Sequence, residues 1–145
     1  MTEVKPLHLD TPQQAEAAFY AAFEAADLAA MMQVWDDAAD ICCIHPMGRA
    51  LTGPLEVSRG WAGIFAAGPT LRFTLEPVSF RIQGELAVSV VFEHIRVAGE
   101  ARPRPPMLAT NVYRRGTTGW RLWLHHASPA VVTLDNALGA GALVH

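Results

Sequence analysis

Gly68-Pro69-Thr70-Leu71-Arg72-Phe73-Thr74-Leu75-Glu76-Pro77-Val78-Ser79-Phe80-Arg81-Ile82-Gln83 is the stretch on which the fold turns. Upstream of it apolar residues recur every third or fourth position; from Leu71 onward they recur every second one. A spacing of about 3.6 residues marks one face of a helix and a spacing of about two marks one face of a strand. Gly68-Pro69 therefore divides a helical half from a sheet half. Within the stretch Leu71, Phe73 and Leu75 share one phase, whereas Val78, Phe80 and Ile82 take the other. A bulge or bend at Glu76-Pro77 accounts for that switch, since proline has no N–H to give to a ladder.

Working upstream, Thr52-Gly53-Pro54 opens a helix whose Val57, Trp61, Ile64 and Phe65 fall on one face, and Gly68-Pro69 closes it. Before it, Ile41 to Ile44 is a short strand ending at His45-Pro46-Met47-Gly48, where Gly48 permits a sharp turn. Thr11-Pro12-Gln13-Gln14 starts the first helix, with Thr11 as N-cap, Pro12 at the first helical position and Gln14 able to close a capping box. That helix runs to about Ala26, with Phe19, Ala22, Phe23 and Ala26 on its apolar face. Asp27 caps a second, short helix through Leu28, Met31, Met32 and Trp35, which Asp36-Asp37 ends.

Downstream, Gln83-Gly84 turns the chain into a strand with Leu86, Val88, Val90 and Phe92 on one face. A proline-containing loop from Gly99 to Pro106 precedes a strand over Leu108 to Arg115, and a hairpin at Gly116 to Gly119 leads into Trp120 to Ala127. Three helices with a small strand, then four long strands joined as hairpins, predict an α+β fold with a mostly antiparallel, bent sheet. One domain is expected over residues 1–145, with its core at 11–128. The tail 129–145 is Gly- and Ala-rich with a short helix around Thr133 to Leu138; covering a pocket, packing on a partner subunit and fraying all fit it.

The chain has 145 residues, 51% of them apolar, with 11 basic and 14 acidic side chains, the balance of one compact domain. No apolar run reaches the roughly 18 residues of a membrane span, and the N-terminus lacks a signal core, so a cytoplasmic address without membrane contact is expected. Cys42 and Cys43 are adjacent, which suits reduced thiols rather than a disulfide. Most acids lie before His45 and all the arginines after it. A pI near 6.0 argues against a nucleic-acid partner, and the arginines read as solvated strand edges.

Ala21-Ala22-Phe23-Glu24-Ala25-Ala26-Asp27-Leu28 with Trp35-Asp36-Asp37, then Ile44-His45-Pro46-Met47-Gly48 with Gly53 and Trp61, and finally Thr110-Asn111-Val112-Tyr113 before Gly119-Trp120-Arg121 and His125-His126-Ala127-Ser128, form an ordered set. With this set the chain resembles the nuclear transport factor 2-like superfamily, in particular its SnoaL-like and ketosteroid-isomerase-like bacterial members. The resemblance implies a cone-like domain, three N-terminal helices packed on a curved sheet around an apolar pocket, and a homodimer formed through the sheet. In the steroid isomerases a catalytic Asp precedes the Pro-x-Gly turn, and here that position is His45. The first-helix tyrosine that donates to the oxyanion falls on Phe19, with Tyr20 turned about 100° away. The second, acidic donor falls near Thr110 or Asn111, so the steroid isomerase mechanism does not carry over. From Arg102 to His126 the chain is also similar to the association domain of calcium/calmodulin-dependent kinase II, whose pocket arginines would fall at Phe92 and Asn111.

These residues give the expected site. His45 is the candidate general base, since a neutral imidazole near pH 7 can take a proton from carbon or water. Asn111 and one of the adjacent His125 and His126 would orient substrate or stabilise developing charge, with His126 placed in the catalytic set and His125 in the binding set. Trp35, Trp61, Phe65, Phe92 and Met107 form the expected wall around an apolar small molecule, with Tyr113 as a polar handle. No zinc-type spacing, phosphate loop or dinucleotide fingerprint occurs, so neither metal nor cofactor is expected. Isomerisation, cyclisation, dehydration and hydrolysis fit this set; a non-catalytic ligand-binding or dimerisation module is the alternative.

Overall fold

A computed structural model describes residues 7–131. Most of the expected tail, with its helix at Thr133 to Leu138, lies outside the described residues. Helix α1 spans Pro12–Ala25. Thr11 Oγ1 accepts the Gln14 N–H at 3.1 Å, and Gln14 Oε1 accepts from the backbone of Asp10 at 2.7 Å, so the box closes one residue before the cap. Ala26 ends the helix at φ 51°, a left-handed position usually given to glycine. Asp27 Oδ1 accepts the Ala30 N–H at 3.0 Å and starts α2, Leu28–Val34. Helix α3 spans Gly53–Ala67.

The strands are β1 Cys42–Ile44, β2 Ala50–Thr52, β3 Leu71–Gln83, β4 Leu86–Val97, β5 Met107–Gly116 and β6 Gly119–Pro129. They form one mixed sheet ordered β2-β1-β6-β5-β4-β3. The four long strands are antiparallel hairpins; β1 lies parallel to β6 and antiparallel to β2, a strand too short to leave a pattern in the sequence. The register of β3 shifts between Pro77 and Ser79, leaving Val78 unpaired.

The helices cover one face of this sheet. Phe19, Met31, Val57 and Trp61 meet Ala87, Val91, Ala109, Tyr113 and Leu122 in the core. The expected orientation of β4 is thereby reversed: Ala87, Ser89, Val91 and Glu93 are buried beneath the helices, while Leu86 and Val88 on the other face are 41% and 37% exposed. Both phases of β4 carry apolar residues, and the inward one meets α1 through its polar members, Ser89 with Glu16 and Glu93 with Tyr20. Phe92 goes with the outer set, pairing with Leu108 and lying 6.3 Å from the His94 ring, so it leaves the expected ligand wall.

A second correction comes from β6. Val112 pairs with Leu124 but Tyr113 pairs with Leu122, so Trp123 is an extra residue. Trp120 and Leu122 are buried before this bulge, His125 and Ala127 after it. His125 therefore points inward, and His126 is exposed on the outer face and drops out of the catalytic set. Two sheet arginines also pair with the acidic helical half, Arg114 with Asp36 at 3.1 Å and Arg72 with Glu24 at 3.9 Å, rather than being solvated edges alone.

Candidate functional site

His45 follows β1 as the first residue of a turn closed by the Gly48 N–H on its carbonyl at 2.8 Å. Pro46 takes the second position, and the left-handed third falls on Met47 at φ 63° rather than on Gly48. The His45 ring packs edge-on against Trp61 of α3, ring centroids 4.6 Å apart. Gly60 makes that approach feasible, since a Cβ there would stand 3.4 Å from His45 Nε2 and 2.5 Å from Leu51 Cδ1. Cys43 Sγ lies 3.5 Å from His45 Nε2. Burial pushes the Cys43 thiol up, so it stays protonated and the pair is not a thiolate nucleophile. Burial also lowers the His45 pKa, which keeps this half-buried imidazole neutral at pH 7.

A second imidazole stands behind it. The His125 ring lies 6.4 Å from His45, 6.0 Å from Trp61 and 4.9 Å from Phe19. Its Nδ1 is 2.6 Å from Asn111 Oδ1, and Asn111 Nδ2 donates to Tyr20 Oη at 3.1 Å. Tyr20 in turn donates to Glu93 Oε2 at 2.7 Å. All four side chains are buried. Burial, helped by His45 and His126, takes the His125 pKa down to about 3. Burial also raises Glu93 to about 7; the Tyr20 hydrogen bond works against this and Glu16 adds to it. The Tyr20 phenol is pushed up, first by burial and then by Glu93.

One turn earlier on α1, Glu16 receives the Tyr113 hydroxyl at 2.7 Å and the Ser89 hydroxyl at 3.0 Å. Tyr113 is also pushed up by burial and by Glu16. Beside this pair a cleft of about 460 Å³ is walled by Ala17, Leu75, Pro77, Phe80 and Val91. Around Trp61 the aromatic side chains are packed together, with Phe23 at 4.8 Å and Phe65 at 5.7 Å. The gap left beside Phe23 and Phe65 is about 30 Å³, room for one water. The Trp61 indole N–H is buried without a partner among the described residues.

The fold thus gathers His45, Trp61, Phe65, Asn111 and His125. Tyr113 and Met107 lie on the same sheet face, Met107 opposite Glu93 at the far end of the strand. Trp35 is placed elsewhere: it bridges Leu122 and lines a polar cleft of about 360 Å³ with Asp36, Arg114 and Arg121. Tyr20, Glu93, Glu16 and Ser89 are additions. Tyr20 could have been found from its place beside Phe19, but Glu93 reads as outward once Phe92 is taken as inward. Among the described residues, no group of three or more His, Cys, Asp or Glu is placed to hold a metal ion.

A family model described as SnoaL-like domain matches residues 13–132. A solved structure from Thiobacillus denitrificans, a candidate calcium/calmodulin-dependent protein kinase type II association domain, is 43% identical with a TM-score of 0.83, over 86% of this chain and 99% of that one. A candidate dehydratase of the nuclear transport factor 2-like family from Streptomyces avermitilis is 34% identical with a TM-score of 0.75, over 83% of this chain and 94% of that one. The F-box protein SKIP8 of Arabidopsis thaliana is 28% identical over 105 residues, 72% of this chain. The match spans only 43% of that plant protein's length.

Proposed function

Because the chain belongs to the SnoaL-like domain family, within the nuclear transport factor 2-like superfamily, we propose that it binds an apolar small molecule beside His45. On this reading it performs acid–base chemistry of the dehydratase or isomerase kind with its own side chains. One observation carries the reading: two imidazoles with lowered pKa values, ring centroids 6.4 Å apart, one half-buried at a strand exit and one buried and held by Asn111. In a dehydration His45 takes the proton from the carbon beside a carbonyl. The freed electron pair forms the double bond as the C–O bond one carbon further breaks, and the leaving hydroxide takes a proton from the imidazolium to become water. Asn111 holds His125, whose Nε2 accepts from the substrate's hydroxyl, and Trp61 and Phe65 contact the apolar body. The description of the Streptomyces relative as a candidate dehydratase supports this reaction class.

The test is a panel of β-hydroxy ketones followed by enone absorbance, with His45→Ala checked for native circular dichroism. Loss of the general base should cost about 10²-fold or more in rate; equal rates in a folded variant would overturn the assignment. A second reading is a non-catalytic dimerisation module, favoured by the description of the Thiobacillus relative and by the exposed Leu86 and Val88 on the outer sheet face. It expects no turnover on any substrate, and a dimer mass that Val88→Arg reduces to the monomer.

A further inference from the structure

We propose that Glu93 and Tyr20 are positioning residues that act through Asn111 to fix which nitrogen of His125 carries its proton, and that protonation of Glu93 reverses the choice. The inference rests on the reading above in placing His125 at the working site. Its logic is that of donors and acceptors along three short contacts. An ionised carboxylate can only accept, so Tyr20 must donate to Glu93. The Tyr20 oxygen is then an acceptor, and Asn111 must turn its NH₂ toward it. The Asn111 carbonyl oxygen consequently faces His125 at 2.6 Å, where only an N–H can meet it. His125 is therefore protonated at Nδ1, and Nε2 keeps a free lone pair with which to accept a hydrogen bond or a proton from substrate.

A protonated Glu93 can donate. Its O–H then turns to Tyr20, the Tyr20 hydroxyl turns to Asn111, and the amide rotates to present NH₂ to His125. Nδ1 must then accept, and the imidazole proton sits on Nε2. Glu93 takes up one proton from solvent; His125 releases one at Nδ1 and gains one at Nε2, so its charge does not change. The His125 nitrogen that could accept from substrate has become a donor.

The surroundings allow such a change. Glu93 is met by Tyr20 from α1 with Glu16 one turn away, by Met107 as its β5 register partner and by Leu75 across β3, with Asn111 beyond the Tyr20 hydroxyl and Tyr113 near enough to feel its charge. His125 is met by Phe19 from α1, Trp61 from α3, His45, and Cys43 as its β1 register partner, with His126 adjacent in sequence. None of these is a permanent cation that would hold Glu93 ionised. A Glu93 pKa near 7 places the change at neutral pH, and a His125 pKa near 3 keeps that ring neutral throughout.

Long-range proton–nitrogen spectra of protein labelled with ¹⁵N-histidine report the tautomer of each ring without any substrate. In the wild type, His125 should be the Nδ1–H form at about pH 8.5 and move toward Nε2–H by about pH 5.5, tracking Glu93. Glu93→Gln should remove the pH dependence, and Tyr20→Phe, which cuts the chain while leaving Glu93 in place, should also remove it. A tautomer constant across this range in the wild type, or a dependence that survives Tyr20→Phe, would overturn the proposal. Either result leaves the β-hydroxy ketone assay free to succeed or fail by itself.

Discussion

Replacing Glu93 with Gln should stabilise the protein, relative to wild type, increasingly as pH rises from about 4.5 to about 7. Burial lifts the Glu93 pKa from 4.5 to about 7, so within that window the folded protein binds a proton that the unfolded chain has lost. Stability then falls as pH rises. The shift is roughly 2.5 units at about 1.4 kcal/mol each, or about 3 kcal/mol in all. His125 works in the opposite direction. Its pKa falls from 6.5 to about 3, so below about 6.5 the unfolded chain takes up a proton the folded one refuses, and stability rises with pH. His45 is lowered as well and adds to that sense. In the wild type these contributions oppose one another between about 4.5 and 6.5 and hide each other. Glu93→Gln removes only the carboxyl, so the difference between variant and wild type isolates it. Urea unfolding followed by tryptophan fluorescence at closely spaced pH values would measure it. With a slope near 2 kcal/mol per molar urea, the difference between the two midpoints should move by about 1.5 M across the window. A difference constant to within about 0.5 kcal/mol would refute the reasoning, because Glu93 would then titrate alike folded and unfolded.

Three further outcomes follow from named positions. Ala26→Gly, at a left-handed residue ending α1, should stabilise by about 0.5–1 kcal/mol, and a loss in thermal melts would contradict the cap geometry. Trp61→Ala should cost about 3–5 kcal/mol as a fully buried ring, whereas Phe92→Ala on the outer face should cost about 1 kcal/mol in dilute monomer; equal losses would reverse the face assignment. A disulfide reagent should modify the half-buried Cys42 well before the buried Cys43 in folded protein, with both reacting once urea unfolds it. Equal rates in the native state would show Cys43 to be reachable.

Much of this architecture is legible in the sequence because local chemistry decides it. Thr11, Asp27 and Gly53-Pro54 begin helices where caps and a φ-fixing proline require, and the phase change at Pro77 locates a real bulge. The orientation of β4 is not legible. Leu86, Val88, Val90 and Phe92 make the more apolar face, yet the helices take the face of Ala87, Ser89, Val91 and Glu93. The inward face is the one whose Ser89 and Glu93 meet Glu16 and Tyr20 of α1, partnerships 73 positions apart that no local pattern shows. The site suffers from the same two faults. Trp123 is inserted where no Gly or Pro marks a bulge, so the sequence leaves open which of His125 and His126 faces inward. Glu93 is buried by an orientation the sequence does not reveal, and its partnership with Tyr20 spans 73 positions.

The central claim, that His45 is a neutral base facing an apolar molecule, is tested most directly by proton exchange. A panel of cyclic and aryl ketones is incubated with the protein in D₂O, and loss of the α-hydrogen signal is followed by NMR. The account predicts that wild type accelerates exchange for at least one ketone. It also predicts that folded His45→Ala falls by about 10²-fold or more toward the uncatalysed rate, while His126→Ala, altered on the outer face, does not. Exchange that survives in His45→Ala, or that is lost in His126→Ala instead, would contradict it.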